Sequence, residues 1–254
     1  WEFKESVRGV ADACHSITLK DNPDHATPII AGNVSFYNES KNGAIPPSPI
    51  VSCLGRLKDV NKTVPMYFQN SGSALLMVGE RKNELGGSVY YSLFNELGAN
   101  VPKPNLQEVK NQIFALTDCI DDGLVLSCHD IADGGLASAL AEMTFGNGIG
   151  CNVKIESNLS VDKFLFSETG GFIVEVSLEN INSAIPLFAN YGLDIFDIGG
   201  VFIHIPENVQ KHLEINRKKL FLNADVLTAK GVFCRRYGGG MGFLLMLFWF
   251  IRSL

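Results

Sequence analysis

The stretch "LVLSCHDIADGGLASALAEM", residues 124–143, decides the fold. Its first seven residues are a short apolar run of the length and composition of a buried strand. From Leu136 onward the residues are small and apolar, as in a helix packed against a sheet. Between the two lie Asp130, Asp133, Gly134 and Gly135, residue types that weaken helix interiors and so mark a boundary. A strand that passes through a glycine turn into a helix is a building unit of α/β architecture.

Outward from this unit the same alternation continues. Upstream, "NLQEVKNQIFALTDCIDDG" (105–123) is the clearest amphipathic helix. Leu106, Val109, Ile113, Leu116 and Ile120 share one face, and Asn105 is placed to cap it. "LGGSVYYSLFNEL" (85–97) reads as a glycine-initiated helix. "VPMYFQNSGSALLMVG" (64–79) reads as two strands joined by a turn at Asn70-Ser71-Gly72, and "VSCLGRLKDV" (51–60) as another strand. "IIAGNVSF" (29–36) is expected to be a strand running into a glycine turn. "NESKNGAIPPSPI" (38–50) is loop by composition. Downstream, "GCNVKI" (150–155) and "GGFIVEVS" (170–177) read as strands and "ENINSAIPLFANYG" (179–192) as a helix. "LDIFDIGGVFIHI" (193–205) reads as two strands joined at Gly199-Gly200. The expected class is α/β, or mixed α+β, with a domain boundary near residue 72.

The chain has 254 residues, 46% of them hydrophobic, and a formal net charge of -6. That length can bury one large core or two modest ones. No basic stripe stands out, so nucleic acid is not an expected partner. Anionic metabolites suit such a protein only where local amides and metal ions supply a positive field. The six cysteines, Cys14, Cys53, Cys119, Cys128, Cys151 and Cys234, form no C-x-x-C pair, and no signal peptide is expected ahead of them. They read as buried thiols of a reducing compartment, the cytoplasm, rather than as zinc ligands.

Both ends are unusual. "WEFKESVRGVADACHSI" (1–17) opens inside a helical pattern carried by Phe3, Val7, Val10, Ala11 and Cys14, as though cut from something longer. "GGGMGFLLMLFWFIRSL" (238–254) holds an apolar run from Phe243 to Ile251, about half of what a bilayer span needs. It reads as sequence foreign to the parent domain, with a buried strand or an interfacial segment as alternatives; membrane attachment is not expected.

Three stretches carry candidate chemistry. At 129–135, Gly134 and Gly135 permit close backbone approach at a helix N-terminus, whose amides and dipole favour anions. Asp130 and Asp133 would repel a phosphate unless a hard cation such as Mg2+ lay between. The plain alternative is Asp133 as an ordinary N-cap, with His129 a hydrogen-bonded rim residue rather than a base. In "AGNVSFYNES" (31–40), Gly32 permits a tight turn, and Asn33, Ser35, Asn38 and Glu39 place oxygens suited to Mg2+ or substrate within one loop; an Asx-rich surface turn fits equally. Gly86, Gly87 and Ser88 offer an anion nest or a simple cap.

Taken in order, "GNVSFYNES", "AIPPSPIVSCLGRLKDV", "LGGSVYYSLF" and "HDIADGGLASALAEM" resemble phosphoribosylformylglycinamidine synthase, over roughly residues 1 to 205. The pattern HD-x-x-DGGL-x-x-x-LAEM separates that family from other AIR synthase-related enzymes. The resemblance implies that residues 1–72 end an AIR synthase-like ATP-binding domain. Residues 73–222 would then form its companion C-terminal domain, with a mixed sheet and packed helices, and 223–254 an atypical tail. It further implies a backbone amide of Gly32 on ATP, Asn33 and Asp130 as Mg2+ ligands, and Ser35 on formylglycinamide ribonucleotide. ATP would activate the substrate amide, and ammonia from a glutaminase subunit or domain would displace phosphate to give the amidine.

The family's catalytic histidine lies in an N-terminal half absent here, so the catalytic residue is left unassigned and the chain is expected to be inactive alone. Ala132 stands where the family often has Ser, and no acid stands near Val89. Beyond "HIPENVQ" the resemblance ends. A non-catalytic nucleotide-binding or assembly module, and another ATP-dependent enzyme of the same superfamily, are the alternatives.

Overall fold

The computed structural model describes residues 1–33, 39–45, 49–154 and 156–202. In chain order the elements are α1 (Glu2–Ser16), the two-residue strands β1 (Glu39–Ser40) and β2 (Gly43–Ala44), a 3-10 turn (Val60–Lys62), β3 (Ala74–Val78), α2 (Val89–Ser92), α3 (Leu106–Asp121) and β4 (Val125–Asp130). They continue with α4 (Gly135–Thr144), β5 (Gly150–Val153), α5 (Val161–Phe166), β6 (Phe172–Val176), α6 (Ile181–Asn190) and β7 (Ile195–Phe202).

Five strands form one sheet in the order β4-β6-β3-β7-β5. Every neighbouring pair is antiparallel. The mixed sheet implied by the resemblance is therefore not formed among these strands: β3 and β4 do point the same way, but β6 lies between them. Helices cover both faces, which explains why β3 reads as an unbroken apolar run. Leu76 and Val78 pack with Ala115, Leu116 and Cys119 of α3 and Phe188 of α6. Leu75 and Met77 pack on the other side with Leu136, Leu140 and Met143 of α4 and Phe164 of α5. Burying each Leu, Val, Met or Phe side chain contributes about 1.5–3 kcal/mol.

One carboxylate lies inside this sheet. Glu175 of β6 is fully buried and accepts hydrogen bonds from the amides of Gln69 and Asn70 at 2.8 and 2.9 Å. The hydroxyls of Ser73 and Ser127 reach it at 2.7 and 2.6 Å. The charge is thus met by four donors, and it fixes the turn at residues 70–72 that leads into β3.

Several expected elements differ. Residues 193–202 do not contain two strands: 195–202 form the single strand β7, in which Leu75 pairs with Gly199 but Leu76 with Asp197, and 203–205 lie outside the described residues. Ile198 is the extra residue of a bulge. Gly199 has φ +138°, and a Cβ there would stand 2.0 Å from the Asn152 carbonyl oxygen, so glycine marks a bulge against β5 and not a turn. The helix expected over 85–97 stops after Val89–Ser92. Asn95 turns to φ 56°, and the Gly87 and Gly86 amides donate back to the carbonyls of Leu97 and Asn100.

No strand forms over 29–33, 51–60 or 64–68; residues 34–36 lie outside the described residues. Ile29, Ile30, Ile50 and Leu54 are exposed, and a lone apolar-rich segment has no ladder to join. Pro65 does run beside β4, its carbonyl accepting from Cys128 N at 3.1 Å. It has no N–H to extend the pairing. Helix α1 is present, but it buries Gly9 and Ala13 and leaves Phe3 and Val7 exposed.

Candidate functional site

The last residues of β3 and β4 and the first of β6 meet at one end of the sheet, where Val78 and Asp130 both pair with Phe172. The N-terminus of α3 closes the same end. Asn105 caps this helix as its sequence leads one to expect, its side chain accepting from Glu108 N at 3.3 Å. Together these ends surround an open cleft of about 560 Å³, counting the solvent at its mouth. Its lining includes Asp130, Glu80, Glu108, Lys82, Lys103 and Thr169. Two glycines bring the elements close enough to form it. A Cβ on Gly171 (φ +112°) would stand 2.4 Å from the Val78 carbonyl oxygen, and one on Gly79 (φ +99°) 3.0 Å from Gln112 Nε2.

Asp130 is half-buried at the end of β4, on the lining of this cleft. Beside it, His129 is buried and donates from Nδ1 to the Asp130 carbonyl at 2.7 Å. The Asp130 carboxylate is 3.4 Å from the same nitrogen. Nε2 is 3.1 Å from Glu142 Oε2, a charge contact whose angle leaves the nitrogen without a directed hydrogen bond. Burial pushes the imidazole pKa down, but Asp130 and Glu142 together push it up to about 10. The two carboxylates thus favour the protonated imidazole, the opposite of what a general base at neutral pH needs.

The turn that follows differs from the sequence expectation in one instructive way. The N-cap of α4 is Gly134, at φ 81°, and not Asp133. Its amide is not open to a ligand either: it donates to Glu168 Oε1 at 2.8 Å. The same oxygen accepts Val89 N at 2.9 Å. Glu168, nine-tenths buried, thus joins the two glycine turns that the sequence offers as separate anion sites. Amide bonds to a carboxylate contribute roughly 1.5–3 kcal/mol each. Sequence reading passed over Glu168; the available signal is an acid two residues after the apolar run Phe164–Phe166 and two before the pair Gly170-Gly171.

Arg81 braces the same segment. It is 4% exposed and donates from Nη1 to Gly170 O at 2.7 Å and from Nη2 to Ser167 O at 2.8 Å. Burial pushes its pKa down to about 10, with Glu84 opposing.

The remaining sequence candidates lie elsewhere. Gly32 and Asn33 are exposed and are not among the residues lining the cleft; a Cβ on Gly32 would meet nothing within 4 Å. Ser35 lies outside the described residues, as do Asn38 and Cys234. The five described cysteines are free thiols, and burial pushes Cys119 and Cys128 up to about 12, so neither is a nucleophile at neutral pH. No helix among the described residues is long and apolar enough to cross a membrane; the run from Phe243 to Ile251 lies outside them.

Residues 70–202 match the family of AIR synthase related proteins, C-terminal domain. The chain is 39% identical over 204 residues to phosphoribosylformylglycinamidine synthase subunit PurL of Methanothrix thermoacetophila, which covers 79% of this chain and 27% of that protein. It is 40% identical over 176 residues to the subunit of the same name from Thermoplasma volcanium, covering 68% and 22%. Among solved structures, Thermotoga maritima PurL complexed with ATP superposes with a TM-score of 0.46 at 18% identity, covering 57% of this chain and 24% of that one. The chain spans about a quarter of the length of the curated relatives it matches. By the match over residues 70–202, the chain belongs to the family of AIR synthase related proteins, as a carrier of their C-terminal domain.

Proposed function

We propose that this chain is a portion of an ATP- and Mg2+-dependent phosphoribosylformylglycinamidine synthase, which converts formylglycinamide ribonucleotide to the amidine in purine biosynthesis. The observation that carries the reading is the 39% identity over 204 residues to a protein of that name. Residues 1–72 are assigned to the end of the ATP-binding domain, 73–222 to the companion domain and 223–254 to a tail. The rest of the synthetase and a glutaminase, as the source of ammonia, are the proposed partners, and the cytoplasm the proposed compartment.

In this reading the substrate's amide oxygen attacks the γ-phosphorus of ATP and ADP leaves. Ammonia then adds at the activated carbon, and phosphate departs with the former amide oxygen. The residues of this chain position and neutralise. Asp130 and Asn33 are assigned to Mg2+, which when bound offsets negative charge on the transferring phosphoryl group. Oxygen donors suit that ion. Among the described residues no group of three or more His, Cys, Asp or Glu could hold a metal ion by itself. Mg2+ is usually held by one or two carboxylates, with water and phosphate completing its shell. Gly32 is assigned an amide contact to the nucleotide and Ser35 a contact to the ribonucleotide. Lys82 and Lys103 on the cleft lining would face the phosphates, while bound Mg2+ would offset Glu80, Glu108 and Asp130.

Calorimetric titration of Mg-ATP into the chain tests this. Asp130→Asn and Asn33→Ala are each expected to weaken binding by about 10–100-fold. Unchanged affinity in both variants sinks the ligand assignment and leaves an assembly module. The chain alone is expected to form no amidine.

A further inference from the structure

We propose that Glu168 is a positioning residue for Asp130: by holding Val89 and Gly134 on one oxygen, it sets where the turn after β4, and with it the Asp130 carboxylate, stands. The inference rests on the reading of Asp130 as a Mg2+ ligand. Residues 131–134 begin the turn directly after Asp130, and both ends of that segment are held by one neighbouring stretch. Ile131 N donates to Gly171 O at 2.8 Å, and Gly134 N to Glu168 Oε1 at 2.8 Å. The holding stretch is itself fixed by buried Arg81, through the carbonyls of Ser167 and Gly170.

The turn contains two successive left-handed glycines, Gly134 at φ 81° and Gly135 at φ 69°. Such a pair has little conformational preference of its own, so external bonds decide its position. It also has little room on the α5 side, where a Cβ on Gly135 would stand 2.6 Å from Leu165 O. The second amide on Glu168, from Val89, lies 79 residues away in sequence, so the tie links this turn to the one at residues 86–88. Glu168 touches neither metal nor substrate in this scheme. It acts through the backbone that carries Asp130.

The test uses the full 254-residue chain and two readouts: amide hydrogen exchange, and Mn2+ binding in the presence of ATP by water-proton relaxation. Glu168→Ala is expected to speed exchange at Val89 and Gly134 about tenfold or more, with α3 amides changed less than about twofold. It is expected to weaken Mn2+ binding at least about fivefold, as loss of a supporting partner does. Glu168→Gln retains an acceptor oxygen and is expected to restore both readouts to within about twofold.

Unchanged exchange at Gly134 in Glu168→Ala overturns the proposal. So does Mn2+ affinity that falls as far in Glu168→Gln as in Glu168→Ala, since charge rather than position would then be at work. Intact Mn2+ affinity in Glu168→Ala alongside its loss in Asp130→Asn also overturns it. If Asp130→Asn itself binds Mn2+ normally, the metal reading fails separately, and exchange at Ile131 and Gly134 still decides the role of Glu168. Should Glu168→Ala not fold, Glu168→Asp replaces it. That side chain keeps the charge but is one methylene too short to hold both amides, and parent-like exchange in this variant would overturn the inference.

Discussion

Strand β3 and the stretch 49–60 are both rich in apolar residues, yet they have opposite fates. All five residues of β3 are buried, whereas Ile50 and Leu54 are more than four-fifths exposed. β3 has β6 on one side, β7 on the other and helices over both faces. Among the described residues no strand pairs with 49–57, so Ile50, Leu54 and Leu57 remain at the surface while Val51 and Cys53 are only half-buried. Apolar pattern states what a segment can bury; neighbours decide whether it does.

The sharpest way to break this contrast is at Glu175. Replacing it by Ala strips four donors of their shared acceptor inside the sheet. A loss of about 3–5 kcal/mol is expected, read as a lower urea midpoint. Glu175→Gln should cost less, because one oxygen still accepts. A paired substitution sharpens the comparison. Leu76→Ala is expected to cost about 2–5 kcal/mol as a core cavity, against about 0.5 kcal/mol or less for Leu54→Ala. Equal costs would mean that 49–60 is buried in solution.

The smallest effect expected from loss of a polar contact concerns the tie between the N-terminal stretch and α3. Lys20 Nζ donates to Phe114 O, Thr117 Oγ1 and Asp118 Oδ1 at 3.0, 2.6 and 2.5 Å. The Tyr191 hydroxyl meets the other Asp118 oxygen. Burial pushes the Asp118 carboxyl up, but Lys20 and Tyr191 hold it below the usual range. A depressed carboxyl contributes stability above its unfolded pKa and loses it as pH falls through the folded value. Lys20→Met should therefore remove roughly 0.2–1 kcal/mol at neutral pH, as an exposed pair does. The difference from the parent should vanish in acid, as followed by urea unfolding at a series of pH values.

What was legible in the sequence follows from how local each cause is. Helix α3 and its Asn105 cap were readable because the amphipathic spacing and the capping residue lie within one segment. Strands β3 to β6 announced themselves by apolar runs between glycine turns. β7 did not, because two glycines in a row look like a turn, and only the Asn152 carbonyl pressing on Gly199 shows otherwise. Glu168 was hidden for the same reason, since its partners lie 34 and 79 residues away. Asp130 was legible as a turn acid, while its place on the cleft depends on glycines of two other strands' ends.

The strand order has a temporal side. β3 is the earliest strand of the five-stranded sheet to leave the ribosome, yet both its neighbours, β6 and β7, begin more than ninety residues later, at Phe172 and Ile195. At about 5–20 residues per second, an apolar centre stays unpaired for on the order of ten seconds of synthesis. During that interval the nascent chain offers both edges of its most hydrophobic strand to any chaperone, or any aggregate, that reaches it first.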